Sequence, residues 1–557
     1  MSMVASRLGA LRNWLSKSTF GTARWQRTTA AVASALIFAA LAPTDAAVGL
    51  DPSWEAATAL AQNHHLAWGT EIVFTSGPLG FLANSTYYYF GQAVAACIYQ
   101  VVVLSALFLG IAAALRQRVA TTMSLVGAFV VTGITSLLLV PMYPDLAVLA
   151  ALIWASVLLF QGDDAERSSA FAMCCTLGAA AGFQFLVKIN SGPTILLIAL
   201  ATSVLLNWRA IGRHLGTVVA FGISIVACWT LTDQPLNNLP TWLRRSGALA
   251  SGYVDAMAVP LSIYAAPAVV LTVVWVIILC VTFLRDGSEI SRRFVLLAGL
   301  ATLISAKTAY GRFDYGHVYI LLSLIIVTVA IAPRWSARQQ MIAIAVVTAF
   351  AVFLGGIPFV TDRGSAAALA PMRAVTRLLT LATPGQTQRQ IEQAQARQRA
   401  NYAVPAQFIQ SMGSGTVHID PIDTSVAWSY SIGWHPVPVF QTYAAFTPAL
   451  DTLNSESLTN GPQFVLSRVS PVTPARGIDG RLAIQESPSY DRTLLCDYAL
   501  DGVEDRWALF ARSAPRCGPL TALSEVTVRD HDVITVPAPP ETGRGGAGGN
   551  RLASNGV

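Results

Sequence analysis

Asp51 and Glu55 stand four residues apart in the stretch GLDPSWE, a spacing that puts both carboxylates on one face of a helix. A carboxylate can take the proton of an attacking hydroxyl if it lies within about 3 Å of it. The pair therefore reads as a candidate general base at the start of a long polar loop, 51–90. Asp followed by Pro is also a common helix start, so Asp51 has a second reading as the cap of a helix beginning at Pro52. The two roles are compatible. Further along the loop come His64, His65, Glu71 and the compact turn Ser76-Gly77-Pro78-Leu79-Gly80. The adjacent histidines suit solvation or local hydrogen bonding first, and contact with a sugar or acceptor second.

Four cations form the complementary set. Lys188 follows an apolar run in FLVKINSGP, and Lys307, Arg312 and His317 lie in AKTAYGRFDYGH between two more. A cation near a hydrocarbon core costs up to ~3 kcal/mol, which makes a partner worth seeking. Together they are candidates to hold an anionic lipid phosphate, Arg through its fork and Lys as a point charge. Each also has a plainer reading: snorkelling for the lysines, an ion pair with Asp314 for Arg312, a backbone bond for His317. Trp434, His435 and Gln441, in WHPVPVFQTYAAF, combine aromatic faces with an amide and an imidazole, which suits a sugar. The same segment would also serve as an apolar docking seam.

These residues are strung between apolar stretches at 28–50, 92–115, 120–140, 146–160, 170–187, 193–206, 215–231, 264–284, 294–309, 318–333 and 340–360. Each is close to the length that crosses a hydrocarbon core of about 30 Å, giving about eleven spans. Of the 557 residues, 54% are hydrophobic and 12% charged, against roughly 25% charged in soluble domains, which excludes a soluble enzyme. The net charge of +6 does not imply nucleic acid, because the basic residues cluster between spans. Residues 1–27 carry five basic and no acidic side chains, so the N-terminus is expected in the cytoplasm. The loops at Arg116–Arg118, Arg209–His214, Arg285–Arg293 and Arg334–Arg338 then fall on the cytoplasmic side as well; the Asp163-Asp164 loop is the exception.

An odd number of spans sends the chain beyond 361 to the outer face. The expected division is a basic N-terminus at 1–27, a transmembrane domain at 28–361, an extracytoplasmic α/β domain at 362–535 and a disordered tail at 536–557. Within the α/β domain the pattern suggests an amphipathic helix over 386–411 and strands at 416–419, 464–466 and 507–511. Cys496 and Cys517 are the two cysteines of that domain, where a disulfide is permitted. No cysteine and histidine spacing suits zinc, and no P-loop, GxSxG or HExxH motif is present.

The organisation resembles the GT-C superfamily of integral-membrane glycosyltransferases: many spans, a carboxylate in a long first outer loop, and a C-terminal extracytoplasmic domain. VFTSGPLGFL at 73–82 and WHPVPVFQTYAAFTPALDTLN at 434–454 look like signatures of bacterial membrane proteins of this type. Asp51 with Glu55 departs from the adjacent acidic pair of the mannosyltransferase-like members, which leaves both the base and a divalent metal open. The resemblance implies transfer of a sugar from a polyprenyl-phosphate donor to an envelope glycan, lipid or protein, with inversion; arabinofuranose and mannose are sensible sugars. Two other classes fit parts of the chain, a transporter or flippase of a lipid-linked sugar and a non-catalytic envelope assembly protein.

Overall fold

The computed structural model describes residues 25–139, 142–161, 167–257, 265–333, 335, 337–353, 356–469, 487–520 and 525–527. The expected disordered tail, most of the basic N-terminus and the Asp163-Asp164 loop lie outside the described residues.

Each of the eleven apolar stretches falls at least in part on a helix. Helix α1 covers 25–39. After α2 (Leu50–Asn63) come α3 (Phe90–Leu115), α4 (Thr121–Leu139), α5 (Tyr143–Gln161), α6 (Arg167–Val187), α7 (Ser191–Leu206) and α8 (Ile211–Leu231). Then follow α9 (Leu239–Met257), α10 (Ala266–Arg285), α11 (Glu289–Gly311), α12 (Tyr315–Ile331) and α13 (Ala337–Phe353). Among the described residues, seven helices are long and apolar enough to cross a membrane (α3, α4, α5, α6, α8, α10 and α11), and α7 and α12 are shorter apolar helices. α5 is the most enclosed of the seven. Close helix approach is built on small residues, as is common between membrane helices. Gly178 and Gly182, one turn apart on α6, face α8 so tightly that a Cβ at either would lie 2.3 Å from the carbonyl oxygen of Thr217 or Phe221.

Two boundaries differ from the pattern expected. α1 stops at 39, and the apolar residues up to Leu50 form a turn and an extended segment around Pro43. The expected start of the outer domain at 362 falls inside α14 (Gly356–Ala382), whose last turns pack back onto the bundle. α14 is amphipathic, with Leu369, Met372, Val375 and Leu379 exposed on one stripe and Arg377 buried.

The expected helix over 386–411 is two helices, α15 (Pro384–Tyr402) and α16 (Ala406–Met412). They are broken where Ala403 takes a left-handed conformation (φ 46°) just before Pro405. Beyond them is a mixed five-stranded sheet with α17 (Ser425–Tyr430), α18 (Pro448–Thr459) and α19 (Pro488–Asp497). Its strands are β1 (Thr416–Asp420), β2 (Gly433–Trp434), β3 (Phe464–Arg468), β4 (Tyr498–Glu504) and β5 (Trp507–Arg512), in the order β2-β1-β3-β5-β4. β1 runs parallel to β2 and β3, while β5 is antiparallel to β3 and β4. A disulfide joins Cys496 to Cys517, tying the end of α19 to the segment after β5.

The long first loop locks bundle and sheet together. The amides of Gly77 and Leu79 both donate to Leu186 O at 3.1 Å, and Ile189 N donates to Thr75 O at 3.0 Å. On the other side Val73 N donates to Pro438 O at 2.7 Å, and the rings of Phe74 and Phe440 lie 5.0 Å apart.

Candidate functional site

The early end of α1 puts a different carboxylate first after it. The segment 43–45 runs beside the extended residues 86–88, with Tyr87 N donating to Thr44 O at 2.9 Å. Asp45 thus faces one side of α14, where Arg373, Thr376, Arg377 and Thr380 follow the i, i+3, i+4, i+7 spacing of a single helical face. Between them is a cavity of about 450 Å³, lined also by Tyr87, Met372 and Gln390.

The two arginines are held differently. Arg377 is buried, donating through Nη1 to Ala39 O at 2.8 Å and through Nη2 to Gln100 Oε1 at 2.8 Å. It thereby caps a carbonyl left open at the end of α1, which also accepts from the Tyr143 hydroxyl at 3.2 Å. Gln100 is fixed in turn, its amide donating to Asn84 O at 3.2 Å and Ser85 Oγ at 3.1 Å. Arg373 is exposed at the cavity. Asp45 lies 3.2 Å from Arg397 of α15, both largely solvated, so this pair is weak and exchangeable. Burial pushes the Tyr87 phenol up, with the charge of Arg377 pulling it back.

Asp51 and Glu55 take contrasting places on α2. Asp51 is exposed and accepts from Trp54 Nε1 at 3.1 Å. It does not cap a helix starting at Pro52: α2 begins at Leu50, with Gly49 at the cap position and no side-chain cap bond. Glu55 is half-buried and accepts from Thr86 Oγ1 at 3.1 Å, one residue before Tyr87. Burial raises its carboxyl to about 7, with the Thr86 bond opposing and the charge of Asp51 adding.

Of the four expected phosphate-binding cations, Arg312 and His317 share one carboxylate, Asp314, and Lys188 takes another. Lys188 pairs with Asp145 at the start of α5, at 3.3 Å. Arg312 Nε donates to Asp314 Oδ2 at 2.9 Å, and His317 meets Asp314 Oδ1 through its ring at 2.8 Å and its backbone N–H at 3.0 Å. Asp314 so caps α12. Its burial alone would raise the carboxyl, but the bonds from His317 and Arg312 hold it at about 2. Lys307 is exposed on α11.

His64 lines a separate cavity of about 260 Å³, and His65 is exposed with a left-handed backbone (φ 53°). Trp434 and Gln441 are buried in the seam between sheet and loop: Gln441 Nε2 donates to Leu50 O at 3.2 Å, and Trp434 packs edge-on against Phe440. His435 is half-buried after β2. It adds to the burial that drives nearby His418 down to about 3. Among the described residues no group of three or more His, Cys, Asp or Glu side chains is placed to hold a metal ion.

No protein-family model matches the chain, and no curated protein matches its sequence. Among solved structures it is similar to ArnT from Cupriavidus metallidurans in the apo state, at 16% identity and a TM-score of 0.42, covering 90% of this chain and 100% of that one.

The residues that sequence reasoning missed are Asp45, Tyr87, Arg373 and Arg377. Asp45 was hidden because LAPTDAAVGL reads as the apolar end of a span, although Pro43 marks the break. Arg373 and Arg377, four apart among apolar residues, carry the signal of an amphipathic helix, which the expected domain boundary at 362 obscured.

Proposed function

We propose that the chain is a membrane-embedded glycosyltransferase of the GT-C type, moving a sugar from a polyprenyl-phosphate donor to an envelope acceptor at the outer face of the cytoplasmic membrane. The observation that carries this reading is the cavity in which one carboxylate, Asp45, faces two guanidinium groups, Arg373 and Arg377, beside a helix with an exposed apolar stripe. The three parts of the donor match it. A lipid tail suits the stripe on α14, a phosphate suits an arginine fork, and the reacting carbon would then lie near a base.

In this scheme Asp45 takes the proton of the acceptor hydroxyl as its oxygen attacks the anomeric carbon. The bond from that carbon to the phosphate oxygen breaks with its electron pair, leaving the lipid phosphate with an added negative charge. Arg373, exposed and adjustable, meets that charge, while Arg377, locked to Ala39 and Gln100, holds α14 in position and adds a fixed positive field. A single displacement inverts the anomeric centre. Asp51 and Glu55 are the alternative bases. Asp51 does not line the cavity with Arg373 and Arg377, and burial lowers the share of Glu55 in its basic form at neutral pH, whereas Asp45, solvated and weakly paired with Arg397, lines that cavity.

The test is transfer by purified protein in lipid, given radiolabelled polyprenyl-phosphate arabinofuranose and mannose with envelope glycan acceptors, and with Asp45→Asn, Asp51→Asn and Glu55→Gln alongside. Transfer abolished by Asp45→Asn alone is the expected result. Movement of the lipid-linked sugar across the bilayer with no glycosidic bond formed would replace this reading with the flippase.

A further inference from the structure

The second cavity backs onto the first. Along the extended segment after Thr86, Tyr87 faces the charged cavity, whereas Tyr88 and Tyr89 face the other. Along α15, Gln390 faces the charged cavity, whereas Gln388, Ile391 and Gln395, at the i, i+3, i+7 positions of one helical face, line the other. One strand-like segment and one helix thus form a shared wall.

The two linings differ in kind. The second carries no carboxylate, guanidinium or ammonium group among the described residues. It offers aromatic rings beside amides. Trp428 stands edge-on to Tyr88 with centroids 5.0 Å apart and is pinned by its Nε1 donating to Tyr88 O at 3.1 Å. Gln395 Nε2 is used on Trp428 O at 3.0 Å, leaving its carbonyl oxygen to accept. The Tyr89 hydroxyl and the His64 ring have no hydrogen-bond partner among the described residues; His64 is exposed at the edge of the cavity, and partial burial followed by the charge of His65 lowers its pKa. A phosphate would find no cation here, and an alkyl chain would leave the amide, phenol and imidazole unsatisfied. A sugar ring satisfies both halves: its C–H face rests on an aromatic ring and its hydroxyls reach the amide, phenol and imidazole. The volume, about 260 Å³, is just below the ~300 Å³ at which small-molecule pockets usually begin, which suits one ring rather than a long chain.

We infer that this cavity binds one uncharged sugar ring of the acceptor glycan, through Tyr89, Gln395, Trp428 and His64, on the far side of the wall from the lipid phosphate. The acceptor role rests on the transferase reading; the binding of a neutral sugar does not.

The experiment is saturation-transfer NMR on the full chain in nanodiscs. The probes are the methyl glycosides of mannose, arabinofuranose, glucose and galactose, with glucuronic acid and glucose 1-phosphate as anionic counterparts. At least one neutral glycoside should receive saturation, reduced at least fivefold by Tyr89→Ala and by Gln395→Ala, and unchanged by Arg373→Gln. Gln395 is half-buried on one helix face, so its substitution tests the site even where Tyr89→Ala lowers the melting temperature. No signal from any neutral glycoside, equal signals in both variants, or a preference for the anionic sugars would overturn the inference. Protein that binds the neutral glycoside through Tyr89 and Gln395 yet transfers nothing would support the subsite and refute the transferase.

Discussion

The two cavities share a wall and almost nothing else. On one side are Asp45, Arg373 and Arg377 with the exposed apolar stripe of α14; on the other, aromatic rings, amides and an imidazole. In the proposed scheme the donor phosphate and one ring of the acceptor glycan occupy different environments, while the reacting hydroxyl reaches Asp45 in the charged cavity. Desolvating a phosphate beside aromatic rings is costly, and a sugar hydroxyl gains little from a guanidinium already claimed by an anion. The division is produced by local geometry: the chain gives Tyr87 to one cavity and Tyr88 and Tyr89 to the other, and α15 offers separate faces.

The comparison breaks most severely at Asp45. Asp45→Asn removes the one carboxylate that lines the charged cavity among the described residues, and the expected loss in kcat is ~10²- to 10⁴-fold with the donor KM little changed, read by steady-state transfer.

Glu55 tests the wall itself. Its folded pKa of about 7 lies above the usual 4.5, so the folded protein holds the proton more tightly than the unfolded chain does. This contribution to stability is fully present below about pH 4.5, falls as pH rises toward 7 and is absent above it, a swing of about 3 kcal/mol at most. The melting temperature of the protein should therefore drop between pH 5 and 8, and Glu55→Gln should flatten the drop. Parallel curves for the two proteins would contradict a proton-holding Glu55.

The two arginines should separate. Arg377→Gln leaves Gln100 Oε1 without its donor and should cost ~1–3 kcal/mol of stability, seen in thermal unfolding, whereas Arg373→Gln should leave unfolding unchanged. Smallest is Asp51→Asn, which removes an exposed negative charge while its amide oxygen can still accept from Trp54; transfer is expected within about threefold of the native rate.

The sequence disclosed the helices and much less of the site. Runs such as 92–115 and 264–284 are long and predominantly apolar, so length and composition both declare them. The strands around Thr416, Phe464 and Trp507 were legible for the same reason, β-branched and aromatic residues between turn signals. Hydropathy fails where an apolar stretch is not helical: residues 40–50 extend the first run by composition alone and hide Asp45 within it. It also fails for α14, which is apolar on one face only and places its arginines where a domain boundary was expected. Lys188, Arg312 and His317 were visible as isolated charges, but their partners Asp145 and Asp314 are fixed by how helix ends meet, which spacing alone specifies only for Asp314 and its near neighbours. The Gln-rich stretch of α15 gave no sign that alternate glutamines serve different cavities, because that depends on what packs against each side.

The most direct test of the central claim, one cavity for each substrate, is a two-substrate kinetic matrix on Arg373→Gln and Gln395→Ala. The account predicts that Arg373→Gln raises the donor KM about tenfold and leaves the acceptor KM unchanged, while Gln395→Ala does the reverse. Two variants that shift the KM of the same substrate, or that shift neither, would contradict it.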